Sequence, residues 1–163
     1  MIVVKKLNIK RCKEYKIIRL EALKSDPIAF GSSYEEEEKL PIKEWEKRMN
    51  NVLFALDNDK IIGTIVVVFN KWLKTKHVAD IYGVYVNKNY RGKGIGNKLI
   101  EAALKYIKKN KEIIKIKLSV NSVQKAAAGL YKKYGFEEIG VCKKELKVDN
   151  TYYDELLMEK MLK

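Results

Sequence analysis

Apolar residues repeat along the chain with two different periods, and the changes of period divide it into elements. A β-branched run from Met1 to Leu7 predicts a first or edge strand. Asn8 is placed to cap a helix from Ile9 to Lys24, in which Tyr15, Ile18 and Ala22 fall on one stripe flanked by Leu20 and Leu23. Asp26-Pro27 ends it, because the residue before a proline avoids the helical region. Ala29 to Tyr34 reads as loop, the acidic run Glu35 to Glu38 continues it, and Ile42 to Met49 reads as a second helix. Val52–Leu56 and Ile61–Asn70 predict a hairpin around Asp57-Asn58-Asp59-Lys60. A basic loop, Lys71 to Lys76, leads to a third long strand over Val78–Val86. After the loop Asn87 to Lys93, the helical period returns through Lys109, with Ile95, Leu99, Ala103 and Tyr106 on one face and Ile100, Leu104 and Ile107 widening it. Ile113–Val120 alternates as a strand, Gln124–Tyr134 forms a short helix closed by Gly135, and Phe136–Val148 with Tyr152–Met161 forms a last hairpin around Asp149-Asn150. The order β-α-α-β-β-β-α-β-α-β-β predicts an α+β fold, a mixed and mostly antiparallel central sheet flanked by helices.

The 163 residues suit one domain, 1–163, and 47% hydrophobic with 34% charged residues leaves ample material for a core. The longest apolar run, Ile61 to Phe69, is interrupted by Gly63 and Thr64 and is far shorter than the roughly 20 residues that span a bilayer. At the start of the chain apolar residues precede the lysines, the reverse of a signal peptide. Cys12 and Cys142 make neither a disulfide framework nor a zinc site, and His77 is the only histidine, so no metal cluster is expected. A soluble, cytoplasmic protein follows as the expectation. The net charge of +13 has two readings: lysine-rich compositional bias, or a field that attracts a polyanion such as a phosphorylated cofactor. Only four of the 34 basic residues are arginine (Arg11, Arg19, Arg48 and Arg91), which disfavours base readout of nucleic acid.

Chemistry concentrates between the third long strand and the central helix. Val84-Tyr85-Val86 runs into a loop with Arg91, Gly92, Lys93, Gly94, Ile95 and Gly96, and the loop runs into an amphipathic helix. Glycines let successive N–H groups converge without a Cβ to fend off a ligand, and a helix N-terminus adds partial positive charge. These parts describe a diphosphate cradle. A Walker A loop fails, because the position five after Gly92 is Asn97; G-x-G-x-x-G fails at the same residue. The pattern met is R-x-x-G-x-G, by Arg91, Gly94 and Gly96.

With these residues and the downstream segment Gln124 to Phe136, which is similar to N-x-x-A-x-x-L-Y-x-x-x-G-F, the chain resembles the GNAT superfamily of acetyl-CoA-dependent N-acyltransferases. Gln124 stands where asparagine is usual, and Asn121 lies three residues too early. The resemblance implies transfer of an acetyl group from acetyl-CoA to a primary amine through a ternary complex, with no metal. It implies that the strand at Val84, Tyr85 and Val86 splays from its neighbour at a bulge made plausible by Gly83, so that free amides bind the pantetheine. Arg91, Gly92, Lys93, Gly94, Ile95 and Gly96 would hold the pyrophosphate, with Gln124 and Lys133 as further cofactor contacts.

Tyr131 matches the family tyrosine that returns a proton to the departing thiolate. Asp80, on the strand leading to the site, and Glu35, after the Phe30–Tyr34 loop, are the two candidates for general base. The carboxylates Glu35 to Glu38 favour a cationic small-molecule acceptor. Trp45 and Trp72 read as core or surface packing residues, with lining of the acceptor side as the alternative, and Tyr153 is a candidate to reach the acceptor pocket. A homodimer is the default assembly. The alternative is a noncatalytic basic module, either an acyl-CoA sensor or a nucleic-acid binder, though no nucleic-acid motif is present.

Overall fold

The computed structural model describes residues 1–163. Seven strands form one sheet: β1 (Ile2–Lys5), β2 (Val52–Asp57), β3 (Lys60–Phe69), β4 (Val78–Val86), β5 (Lys115–Asn121), β6 (Glu137–Val148) and β7 (Thr151–Met161). Their spatial order is β1-β2-β3-β4-β5-β7-β6, and β4 with β5 is the one parallel pair. The helices are α1 (Cys12–Ser25), α2 (Tyr34–Glu37), α3 (Ile42–Met49), α4 (Ile95–Lys108) and α5 (Lys125–Lys133). The mixed, mostly antiparallel sheet with flanking helices is the expected architecture.

Two differences are local. The Asn8 cap serves a 3₁₀ turn, Ile9–Arg11, that leads into α1. The acidic run is helical rather than loop: Ser33 and Glu36 form a reciprocal capping box that starts α2. The S-x-x-E spacing from Ser33 to Glu36 is the signature of such a start.

Alternation along the strands sorts side chains into two cores. On β2, Leu53 and Ala55 join the larger core against α4, whereas Val52 and Phe54 join the smaller one with Tyr15, Trp45 and Met49 of α1 and α3. The α4 stripe contributes Ile95, Leu99, Ile100, Ala103 and Ile107, all buried. Tyr15 meets both Trp45 and Phe54 edge-on, at centroid distances of 5.5 and 5.4 Å.

On β4 the alternation breaks. Ala79 and Ile81 belong to the α4 core, and an unbroken strand would send Tyr85 the same way; instead Tyr85 lies in the α1 core. Opposite Thr64 and Val66 of β3 stand Tyr85 and Tyr82, so β4 carries one extra residue. The bulge includes Gly83, at φ +55°, a left-handed conformation that side chains resist. A Cβ there would approach Val66 Cγ2 to 3.0 Å.

The parallel pairing of β4 with β5 runs only from Val78–Lys115 to Asp80–Lys117. Beyond it β4 stays with β3 and β5 stays with β7, so the sheet opens into a wedge at its centre. Leu99 is fully buried under this region, with Cδ1 beside Gly63. Leu99→Ala should therefore lower stability by about 2–5 kcal/mol in urea unfolding, the range for truncating a packed core leucine.

Candidate active site

Two cavities flank the wedge, one on each side of the bulge. The first is a groove of 840 Å³ lined by Val84, Tyr85, Val86, the loop from Tyr90 to Asn97 (Lys93 excepted), and Val123 to Ala127 at the start of α5. The second, of 420 Å³, is lined by Tyr82 and Gly83 of β4, Ser119 of β5, Glu155 of β7 and Arg19, Glu37 and Arg48 from the helices. Ala29 and Phe30, in the connection after α1, border both.

The groove is lined by main-chain donors at the start of α4. Gly94 caps α4 at φ +74° and ψ 11°, a left-handed conformation that turns the chain abruptly into the helix. Every backbone N–H from Gly92 through Asn97 lacks an acceptor within the protein. Those at the helix start are the donors that any helix leaves unpaired. The N–H groups of Gly92, Lys93 and Gly94 extend the row into the loop. A Cβ on Gly92 or Gly94 would meet no protein atom within 4 Å, so both face open space.

The charged side chains are arranged less simply than the motif suggests. Arg91 donates Nε–H to Val86 O at 3.0 Å, is in ion-paired contact with Asp26, and stacks over the Tyr85 ring. Its guanidinium is thus oriented by protein partners. Lys93 does not line the groove; its ammonium sits 5.2 Å from the Tyr90 ring centroid. Lys133 donates to Asn97 Oδ1 at 2.6 Å and so braces the first turn of α4 from α5. Gln124 lines the groove at the N-terminus of α5. Asn121 is buried and structural, donating to Ile28 O and accepting from the Val123 N–H. Lys125 and Asn97, which the motif reading passed over, also line the groove. Tyr85 lines it too, yet its hydroxyl points to α1, where it donates to Glu21 Oε1 at 2.7 Å and accepts from Ser25.

Tyr131 lies one turn after Ala127, a groove residue, but lines none of the cavities itself; it packs edge-on against Phe136. It is 7% exposed, and burial alone pushes its hydroxyl up to about 12. The phenol therefore stays protonated at neutral pH.

The two candidate bases are not brought together with it. Asp80 sits at the last β4–β5 pair, accepts from Asn70 Nδ2 at 2.7 Å and lies 3.5 Å from Lys117 Nζ. It lines neither cavity. Glu35 lines a third cavity, of 660 Å³, between the loop before α2 and the turn of the β6–β7 hairpin. Trp45 is fully buried in the α1 core, Trp72 is 81% exposed on the β3–β4 loop, and Tyr153 lines none of the three cavities.

From the acidic run, the residue that reaches the wedge is Glu37, which lies under the second cavity with its side chain 5% exposed. Oε1 accepts from Arg19 Nη2 at 2.8 Å and is closely approached by Ser32 Oγ; Oε2 accepts from Arg19 Nε at 3.1 Å and Arg48 Nη1 at 2.9 Å. Burial pushes the carboxyl up, but the hydrogen bonds from Arg19 and Ser32 and the two guanidinium charges outweigh it and hold it below the usual carboxylate range. No group of acidic, histidine or cysteine side chains is arranged to hold a metal, and no helix is long and apolar enough to cross a membrane.

Residues 18–136 match the acetyltransferase (GNAT) family, and the chain belongs to that family. An uncharacterized N-acetyltransferase of Methanocaldococcus jannaschii is 36% identical over 101 residues, 60% of this chain and 44% of that protein. The chain thus spans less than half of that relative's length. The L-amino acid N-acetyltransferase of Escherichia coli is 24% identical over 123 residues, 72% of this chain and 75% of that one. The acetyltransferase of GNAT family from Streptococcus pneumoniae has the same fold, with a TM-score of 0.89 over 99% of this chain and all of its own at 22% identity. So does yncA, a putative acetyltransferase from Salmonella typhimurium solved with its cofactor acetyl-CoA, with a TM-score of 0.82, 16% identity and 100% and 95% of the two chains covered.

A depressed carboxyl in the folded state stabilises above its unfolded pKa, and that stability is lost as pH falls through the folded value. Glu37→Gln should lower stability by about 3 kcal/mol at pH 7, because two guanidiniums lose their shared partner. The gap between variant and wild type should hold above the ordinary glutamate pKa of about 4.3 and narrow progressively as pH falls below it, as the depressed wild-type carboxyl is driven to take up its proton. Thermal melts from pH 7 to pH 3 measure both.

Proposed function

We propose that this protein transfers an acetyl group from acetyl-CoA to a primary amine in a ternary complex. The observation that carries the reading is the row of unpaired N–H groups from Gly92 to Asn97, on a groove that ends at the wedge between β4 and β5. A diphosphate fits such a row, since each donor is fixed by backbone and aligned with the helix dipole. The open edge of β4 at Val84–Val86 extends the groove toward the wedge, with main-chain polar groups for an amide-bearing arm.

Acetyl-CoA bound there would supply a thioester carbonyl carbon as electrophile and a sulfur as leaving group, so that transfer removes one proton from the amine and delivers one to sulfur. Tyr131 is suited to the delivery. Its hydroxyl makes no side-chain hydrogen bond within the protein, and burial keeps it protonated. A phenol near 12 is a weak acid toward a thiolate whose acid lies near 8.5 in water. The same desolvation raises a thiol held beside it, which brings the two proton affinities closer. On the amine side, a group with a pKa near 10.4 costs about 4–5 kcal/mol to deprotonate at neutral pH, and the transfer has to meet that cost.

A proton donor at Tyr131 also separates a transferase from a protein that only binds the cofactor. Tyr131→Phe should reduce thiol release by about 10²-fold while leaving the CoA dissociation constant within about twofold. Gly94→Val, at a left-handed position where a β-branched residue is strained, should weaken CoA binding about tenfold or more in calorimetry. Normal affinity in Gly94→Val would remove the cradle, and unchanged turnover in Tyr131→Phe would remove the proton donor.

A further inference from the structure

The second cavity carries an arrangement that the cationic-acceptor expectation did not contain. Two guanidiniums share one carboxylate: Glu37 is enclosed by Arg19 and Arg48, which leaves one positive charge in excess on that wall. Glu37 and Ser32 engage Arg19 through Nε and Nη2, and Glu37 engages Arg48 through Nη1. Arg19 Nη1 and both Nε and Nη2 of Arg48 have no partner in the protein. An arginine carries five N–H donors in a fixed fork, so several remain directed elsewhere. Arg19 Nη1 stands 3.7 Å from where a Cβ on Gly83 would be, which places an unclaimed donor at the bulge where β4 parts from β5. The Arg19 plane is fixed against the Phe30 ring, at 4.6 Å from its centroid, and Arg48 lies 5.1 Å from the Trp45 centroid. On the β7 wall of the same cavity Glu155 has no hydrogen bond or ion pair to any side chain.

The geometry points to an acceptor that carries a carboxylate beside its amine: a free amino acid, with the carboxylate on Arg19 and Arg48 and the amine toward Glu155. Preset guanidiniums suit this ligand, because a planar fork already held by Glu37 and by aromatic faces loses little freedom when it takes a second carboxylate. Glu35 and Glu36 do not oppose it, since they line the separate cavity by the β6–β7 hairpin. This inference rests on the acetyltransferase reading and names the substrate class of that same site.

The test compares free L-amino acids with their carboxamides and with the amines left by decarboxylation, in a thiol-release assay with acetyl-CoA. The free acids should be preferred by about tenfold or more in kcat/KM, with the difference in KM, as expected for a lost charged hydrogen bond. Arg48→Gln should raise KM for the acids by a similar factor and leave the carboxamides within about twofold. Arg19→Lys, which keeps the charge and loses the fork, should do the same if Arg48→Gln does not fold; CoA calorimetry confirms an intact groove in either. Carboxamides used as well as the acids, or variants that slow every amine alike, would overturn the inference, and N-terminal peptides preferred over both would do so too. If no amine releases thiol, the transferase reading fails on its own. Amino-acid heat on CoA-saturated protein, lost in Arg48→Gln, would still uphold the carboxylate site, and its absence would end it.

Discussion

The site depends on one local failure of strand pairing. β4 and β5 are hydrogen-bonded neighbours for three register positions and then separate, β4 staying paired with β3 and β5 with β7. A single extra residue at the Gly83 bulge accompanies the separation and exchanges the faces that β4 presents. Because of that exchange, Tyr85 anchors in the α1 core while Val84 and Val86 pack toward α4. The two cavities lie on either side of this point, so a ligand in one and a ligand in the other could meet where the sheet has no backbone of its own.

Around that opening the protein uses two kinds of positive site. The groove relies on main-chain donors, with Arg91 already oriented by Asp26 and Val86. The second cavity relies on guanidiniums fixed by a buried carboxylate. The division follows from chemistry: a row of N–H groups suits oxygens spread over two phosphates, whereas a planar fork suits one carboxylate.

The elements and the groove were legible in the sequence because they are local. The strand-glycine-helix order of Val84 to Leu99 marks the groove without knowledge of the rest of the chain, and the alternation and helical stripes place nearly every element. The second cavity was not legible, since Arg19, Glu37 and Arg48 are brought together only by the packing of α1, α2 and α3. The acidic run gave no sign of which carboxylate turns inward. Asp80 and Glu35 were reasonable from their positions beside the expected site, but a strand-end carboxylate pairs with whatever cation its neighbour strand offers, here Lys117. One signal was present and unused. In a chain where lysine supplies nearly all the positive charge, each of the four arginines makes an ion pair: Arg11 with Glu14 and Asp59, Arg19 and Arg48 with Glu37, and Arg91 with Asp26. Three of the four, Arg19, Arg48 and Arg91, line the two cavities.

A phosphate grip of the proposed kind, built from the peptide backbone, has a consequence for how such a chain can change over time. Peptide dipoles are the same whatever side chain they carry, so substitutions around the loop leave the grip's polarity untouched as long as Gly92 and Gly94 keep their shape. The surface is then free to drift toward lysine, or away from it, under pressures unrelated to catalysis. On the proposed reading, genomes with very different amino-acid usage can keep the same handle on the same carrier, and little of that handle would be visible in a comparison of surface charge.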